Sequence, residues 1–180
     1  MLKKLPLSEF YHLINHGPCV LITSGSAQNA NVAPVAWTMP VNDDPPMLAI
    51  SVAESHYTAE LIGKTGEFAV NIPDKKMLAV LMSAGKVSGR KENKIRKYGI
   101  SIQDGIKIST PHLEDAIGCI ECRVKEKRVY EGVVVIIADV LHCAVKKGLY
   151  DSYWITPKAK TLHHLGSGYF CTPGKRFKYK

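Results

Sequence analysis

The stretch AIGCIECRVKEKRVYEGVVVIIADVLHCAV, residues 116–145, decides the class of fold. Two long runs rich in Val, Ile and Cys flank the turn Glu131-Gly132. Parallel neighbours need a crossover of about a dozen residues or more, so these runs read as one antiparallel hairpin. Upstream, PCVLITSG and ANVAPVAWTM flank the turn-forming SAQNA and read as a second hairpin. Pro34 removes a ladder donor, which puts its strand at a sheet edge or a bulge. MLAISVA and EFAVNIP are further apolar strands, with PVNDDPP read as a loop.

Helices are few. PLSEFYHLINHG has the pattern of a short amphipathic helix, with Ser8 as its cap, Phe10, Leu13 and Ile14 as its stripe, and Gly17 as its stop. DKKMLAVLMSAG reads as helical, and RKENKIRKYG as a charged helix ending at Gly99. Strands joined by hairpin-length turns outweigh them. The expected class is therefore mainly β, an antiparallel barrel with small inserted helices rather than a doubly wound parallel sheet. The expected organisation is one domain over 1–180, with 156–180 an arm laid on the core or on a neighbouring subunit.

The bulk numbers agree with one globular unit. The chain has 180 residues, 46% apolar and 22% charged, against the signature of disorder. No apolar run nears the roughly 18 residues that cross a bilayer, and Pro6, Ser8 and Glu9 interrupt any leader-like start. Five scattered cysteines fit reduced thiols in a cytoplasmic protein. Cys119 and Cys122 form a CxxC, but strand alternation sends them to opposite faces. No metal site is expected there, nor at the adjacent His163 and His164.

The net charge of +8 is uneven: KVSGRKENKIRKYG carries six lysines and arginines, and the terminal GKRFKYK four. Anionic partners fit such a balance. One candidate is a basic nucleic-acid module using 86–97 and the arm, where Phe177 and Tyr179 interleave with cations. No recognised nucleic-acid motif accompanies it, so nucleic acid is an unlikely partner.

Two segments bear on a small anion. In SVAESHYTAELIGKTGEFAVNIP, residues 51–73, a strand gives way to a helix at Ser55-His56-Tyr57-Thr58. Free N–H groups at a helix start suit a phosphate, and a Ser there equally serves as a plain cap. IGKTG imitates a P-loop, yet that motif needs Gly at position 58, which is Thr. Gly63 and Gly66 read instead as helix terminators. In SAGKVSGRKENK, Arg90 and Lys94 stand four apart, on one face of a helix beginning near Arg90. Cations at a helix start oppose its dipole, which an anionic ligand would relieve.

In order, PCVLITSG, NVAPVAWTMPVNDDPPMLAISVA, SHYTAELIGKTGEFAVNIP, VSGRKENK, a strand ending ECRV, and HHLGSGYF resemble the flavin reductase-like, FMN-binding split-barrel family, flavoredoxin type. The resemblance runs from about Pro18 to Phe170. It implies a six-stranded antiparallel split barrel with Greek-key character, and a homodimer with FMN near the subunit interface. It further implies that Ala36, Trp37, Thr38 and Met39 lie along the isoalloxazine edge. Ser55, His56, Tyr57 and Thr58 would reach the phosphate and ribityl chain, with Ser51 nearby. Asn71 would touch the flavin, Ser88, Gly89, Arg90 and Lys94 would close the phosphate side, and His164 would approach the ring. Relatives often carry Arg or Lys just before Thr58, whereas Ser-His-Tyr stands here. The phosphate would then depend on Arg90, Lys94 or His56. The resemblance implies an oxidoreductase in which the flavin does the chemistry, so no catalytic side chain is named. Electrons would come from NADH, NADPH or an acidic redox protein.

Overall fold

The structure is a computed structural model that describes residues 2–178. A 3-10 turn at Leu7–Leu13 precedes β1 (Val20–Ser24), β2 (Asn31–Val35), β3 (Thr38–Asp43) and β4 (Pro46–Ala53). Then come α1 (Tyr57–Thr65), β5 (Glu67–Ile72), α2 (Leu78–Lys86) and a single turn, α3 (Lys94–Lys97). The short strands β6 (Ile102–Gln103) and β7 (His112–Leu113) lead to β8 (Gly118–Tyr130) and β9 (Val133–Val145). A turn, α4 (Thr156–Ala159), and the hairpin β10 (His163–Gly166) and β11 (Tyr169–Cys171) follow.

Seven strands form one antiparallel sheet in the order β2-β1-β5-β8-β9-β4-β3. Its edges, β2 and β3, are linked in sequence by Ala36 and Trp37 alone. Laid flat, seven strands about 4.8 Å apart would separate those edges by about 29 Å. Three Cα steps reach at most about 11 Å. The sheet must therefore roll up, and β2 comes into contact with β4. Helix α1 touches β1, β2, β4 and β5, covering the seam of the barrel.

Both faces of the central strands are buried, which explains their nearly continuous apolar runs. Val20, Ile22, Phe68, Val70, Ile136 and Ala138 fill the barrel with Ile62 of α1. Cys19, Leu21 and Val32 face outward beneath Met77, Leu81 and Ala84. The 116–145 hairpin forms as expected, turning at Glu131 (φ 47) and Gly132 (φ 81).

Several local expectations are corrected. The sheet has seven strands rather than six because Thr38–Asp43, read partly as a loop, pairs with β4. Pro40 is tolerated because β3 is an edge strand, and the register shifts between Pro40 and Asn42. Gly63 lies inside α1, and Gly66 alone ends it, in the left-handed region at φ 70 with its N–H donated to Ile62 O. The first helix is a 3-10 turn with no buried residue, Pro6 rather than Ser8 at its N-cap, and Phe10, Leu13 and Ile14 exposed. Seven residues without tertiary cover are too few to hold an α-helix. RKENKIRKYG is helical only over Lys94–Lys97, because Ser88 O takes the N–H groups of Lys91 and Glu92 in a separate turn. Residues after 156 lie on the core through buried Ala159 and Leu162, with bridges Asp74–Thr161 and Pro18–His163.

A Cβ on Gly132 would meet nothing within 4 Å, so the cost of Gly132→Ala is purely conformational. The expected loss is about 1 kcal/mol, read as a lower urea midpoint with an unchanged m-value.

Candidate functional site

Two cavities flank the seam. The polar one, about 360 Å³, lies between β2, the start of α1 and the α2–α3 connection. It gathers Ser55, His56, Tyr57, Thr58, Ser88, Gly89 and Lys94. The apolar one, about 510 Å³, gathers Ala36, Trp37, Thr38, Met39 and Ser51, walled by Phe10, Tyr11 and Ile14. Strand β2 and its continuation run from one to the other, through Asn31 and Pro34 to Ala36.

In the polar cavity the cap question is answered by geometry. Residue His56 occupies the N-cap of α1, and no side chain caps the helix. Its first N–H groups are left for another acceptor. Thr58 is 2% exposed, and its Oγ1 accepts from Asn31 Nδ2 at 3.1 Å. Asn31 Oδ1 is buried with no partner. A Cβ on Gly89 would stand 2.2 Å from that oxygen and 2.8 Å from the Tyr57 ring, so only glycine permits this approach.

Lys94 is the unusual group. It is 5% exposed, and its Nζ donates to Val32 O at 2.9 Å and Ala84 O at 2.6 Å. Among the described residues no carboxylate pairs with it. Burial pushes its pKa below the ordinary lysine value. An ammonium has three donors, so one remains for a ligand in the cavity it lines.

Arg90 does not share a helix face with Lys94, which corrects that expectation. It lies in the Ser88 turn, where its Nη1 donates to Ser55 O at 2.7 Å and its Nε to Glu60 Oε2 at 2.9 Å. Its guanidinium sits 5.5 Å from the Tyr57 ring centre. Lys64 and then Arg90 hold the Glu60 carboxyl below its usual range. Arg90 thus braces the strand-to-helix turn from the rim.

In the apolar cavity, Ser51 N–H donates to Trp37 O at 2.9 Å, carrying the β3–β4 ladder up to the link. Ser51 therefore belongs with Trp37 rather than beside Ser55. Asn15 donates to Ala36 O at 3.1 Å and accepts from Trp37 Nε1 at 3.0 Å once its amide is oriented to satisfy both. The Tyr11 and Trp37 rings are 5.9 Å apart.

Two expected residues join neither cavity. Asn71 is fully buried; its Nδ2 donates to Leu21 O and Thr23 Oγ1, and its Oδ1 accepts from Leu113 N–H at 2.6 Å. The NIP asparagine is a cross-strand tie, with no group left for a flavin. His164 packs 5.0 Å from Phe170, and burial followed by the neighbouring His12 lowers its pKa. Asn31 and Asn15 were missed in the sequence, since single asparagines outside any motif give no local signal.

Half of the basic patch is tied up: Arg90 pairs with Glu60, Lys97 with Glu92, and Lys94 is inside, while Lys86, Lys91 and Arg96 stay exposed. In the arm Arg176 pairs with Asp151, and Tyr179 and Lys180 lie outside the described residues. Cys122 faces the barrel core and Cys119 the opposite side, so CxxC is no dithiol pair. Among the described residues no cluster of His, Cys, Asp and Glu is arranged for a metal, and no helix is long and apolar enough to cross a membrane.

Comparison with known proteins agrees with this architecture. Residues 13–169 match the flavin reductase like domain, and the chain belongs to that family. The Escherichia coli K12 protein YddH is 37% identical over 178 residues, covering 93% of this chain and 94% of that one. The flavoredoxin of Methanosarcina acetivorans superposes with a TM-score of 0.88 at 24% identity, over 99% of this chain and 95% of that one. An FMN-binding protein of Thermus thermophilus, solved with bound p-hydroxybenzaldehyde, gives 0.85 at 20% identity over 100% and 98%. The fold is the split barrel of these flavin reductase-like proteins.

Asn71→Ala should cost about 2–4 kcal/mol in urea denaturation, because the Leu113 N–H and the Thr23 hydroxyl lose buried partners. Burial lifts the thiols of Cys19 to about 11 and Cys122 to about 12 and also raises Cys119. Iodoacetamide at neutral pH should therefore label two thiols of the native chain, the exposed Cys143 and Cys171. Mass spectrometry reads that count.

Proposed function

We propose that this chain is an FMN-dependent oxidoreductase of the flavin reductase and flavoredoxin kind, with the phosphate in the polar cavity and the isoalloxazine in the apolar one. The observation that carries the reading is Lys94, a buried cation with no carboxylate at a cavity rimmed by free helix N–H groups. Two further features fit the same ligand. Gly89 lets its loop close against Asn31 and Tyr57 beside the cavity, and the apolar walls beside Trp37 suit a ring. FMN supplies the hydride and electron chemistry when bound.

The side chains bind and orient. Lys94 and the α1 N-terminus hold the dianion, and Arg90 stiffens the turn that presents those N–H groups. Asn15 fixes Trp37 and the Ala36 carbonyl at the ring edge. Tyr11 is the single titratable side chain among the described residues lining the apolar cavity. No side-chain acid or base is needed beyond it.

The electron donor is read as NADH or NADPH stacking on the open ring face, with an acidic redox protein as the other source. Exposed Phe10, Ile14 and Met39 around that cavity favour cover by a second copy in a homodimer. Five unpaired cysteines favour the cytoplasm.

Lys94→Met tests the phosphate assignment. The folded-state pKa of Lys94 is depressed, so the charged form costs stability below that pKa, and the cost fades as pH rises towards the ordinary lysine value. Removing the charge relieves that cost but leaves Val32 O and Ala84 O without their donor, so the melting temperature of the FMN-free protein should shift by only a few degrees. Affinity for FMN should fall about tenfold to a hundredfold, the loss of one charge-assisted hydrogen bond. A colourless protein that ignores added FMN overturns the function. Normal FMN affinity in Lys94→Met overturns the phosphate placement. Anaerobic mixing with NADH, NADPH or reduced ferredoxin, followed by flavin bleaching, identifies the donor.

A further inference from the structure

A third cavity, of about 1010 Å³, is larger than these two. It opens between the residues leading into α2, the Tyr98–Ser101 loop and the segment around α4. Its floor is apolar, with Met77, Val80, Ile100, Leu113 and Leu149. Its rim carries five lysines, Lys75, Lys76, Lys146, Lys158 and Lys160, against Asp74 and Asp115. Three positive charges are left over.

The fold forces these lysines together. Lys75 N–H donates to Lys160 O at 3.1 Å, and Asp74 bridges Thr161. Lys160 itself sits in the left-handed region at φ 46, where a lysine is strained. Asp74 is occupied by the Lys76 N–H, and Lys146 Nζ donates to Asp115 O. Among the described residues none of the five lysines is in an ion pair. All five lysines are exposed, and their shared charge draws anions to the space between them.

We propose that this cavity is a nucleotide site, with a base on the apolar floor and phosphates among the lysines. The rim cations are lysines, compact point charges that bind phosphates from several directions. A bare phosphate would leave the floor uncovered, whereas a volume of about 1000 Å³ lies at the upper end for small-molecule sites. Asp115 and Ser101 also line the cavity and supply polar groups for sugar hydroxyls. Lys146 follows the end of β9, whereas Val135 of the apolar cavity lies near its start. The two cavities share no lining residue. A nucleotide here is therefore a ligand separate from a ring bound in the apolar cavity. It acts as a second ligand that ties the segment around α4 to α2.

The test uses the full chain saturated with FMN, titrated calorimetrically with ADP, inorganic pyrophosphate or adenosine. ADP should bind, more weakly as salt rises, and each fragment should bind at least about tenfold more weakly than ADP. Lys75→Ala with Lys158→Ala should weaken ADP by about tenfold or more while flavin absorbance and melting temperature stay unchanged. The proposal is overturned if ADP shows no heat at millimolar concentration, or if pyrophosphate matches ADP. Unchanged ADP affinity in the double variant, or release of FMN by ADP, overturns it equally.

Discussion

The link Ala36–Trp37 is the constraint on which the rest of the molecule depends. Two residues must join the opposite edges of a seven-stranded sheet, and only a rolled sheet lets them do so. The same link creates the seam. Where β2 and β3 part, the barrel wall is incomplete, and α1 is laid across the gap. A helix so placed presents its N-terminal N–H groups beside β2, next to the loop that carries Gly89. Closure of the barrel and position of the polar cavity are thus one geometric fact.

Electrostatics then separates the two ends of the seam. At one end a buried ammonium is held by two carbonyls and no carboxylate. At the other, aromatic and aliphatic side chains surround a strand-edge backbone. A ligand with a charged head and a flat apolar body matches that gradient in one orientation only. Of the cations near Lys94 in sequence, Arg90 pairs with Glu60 and Lys97 with Glu92, while Lys91 and Arg96 stay exposed to solvent. Burial rather than charge density singles out the lysine that matters.

Much of this was readable from the residues. Apolar runs and the Glu131-Gly132 turn gave the antiparallel class, because hairpins are local and their turn chemistry is explicit. The cluster Ser55–Thr58 with Ser88–Gly89 came together as the order of motifs implied. What failed depended on tertiary partners. The strand at Thr38–Asp43 is stabilised by pairing with β4, which overrides Pro40. The charged helix after Ser88 shrank to one turn because side chains and turns claimed its N–H groups. Asn71 looked like a ligand contact and proved to be a tie between β1, β5 and Leu113, since sequence shows an amide's presence but not its partners. Asn15 and Asn31 were invisible for the same reason.

The opening 3-10 turn has no buried residue, yet it forms a wall of the apolar cavity. Asn15, which holds the segment to Ala36 and Trp37, lies just beyond it. Such a wall is not part of the cooperative core, so it can open at a free energy well below that of global unfolding. A change in that wall therefore alters the apolar cavity while the barrel behind it stays intact.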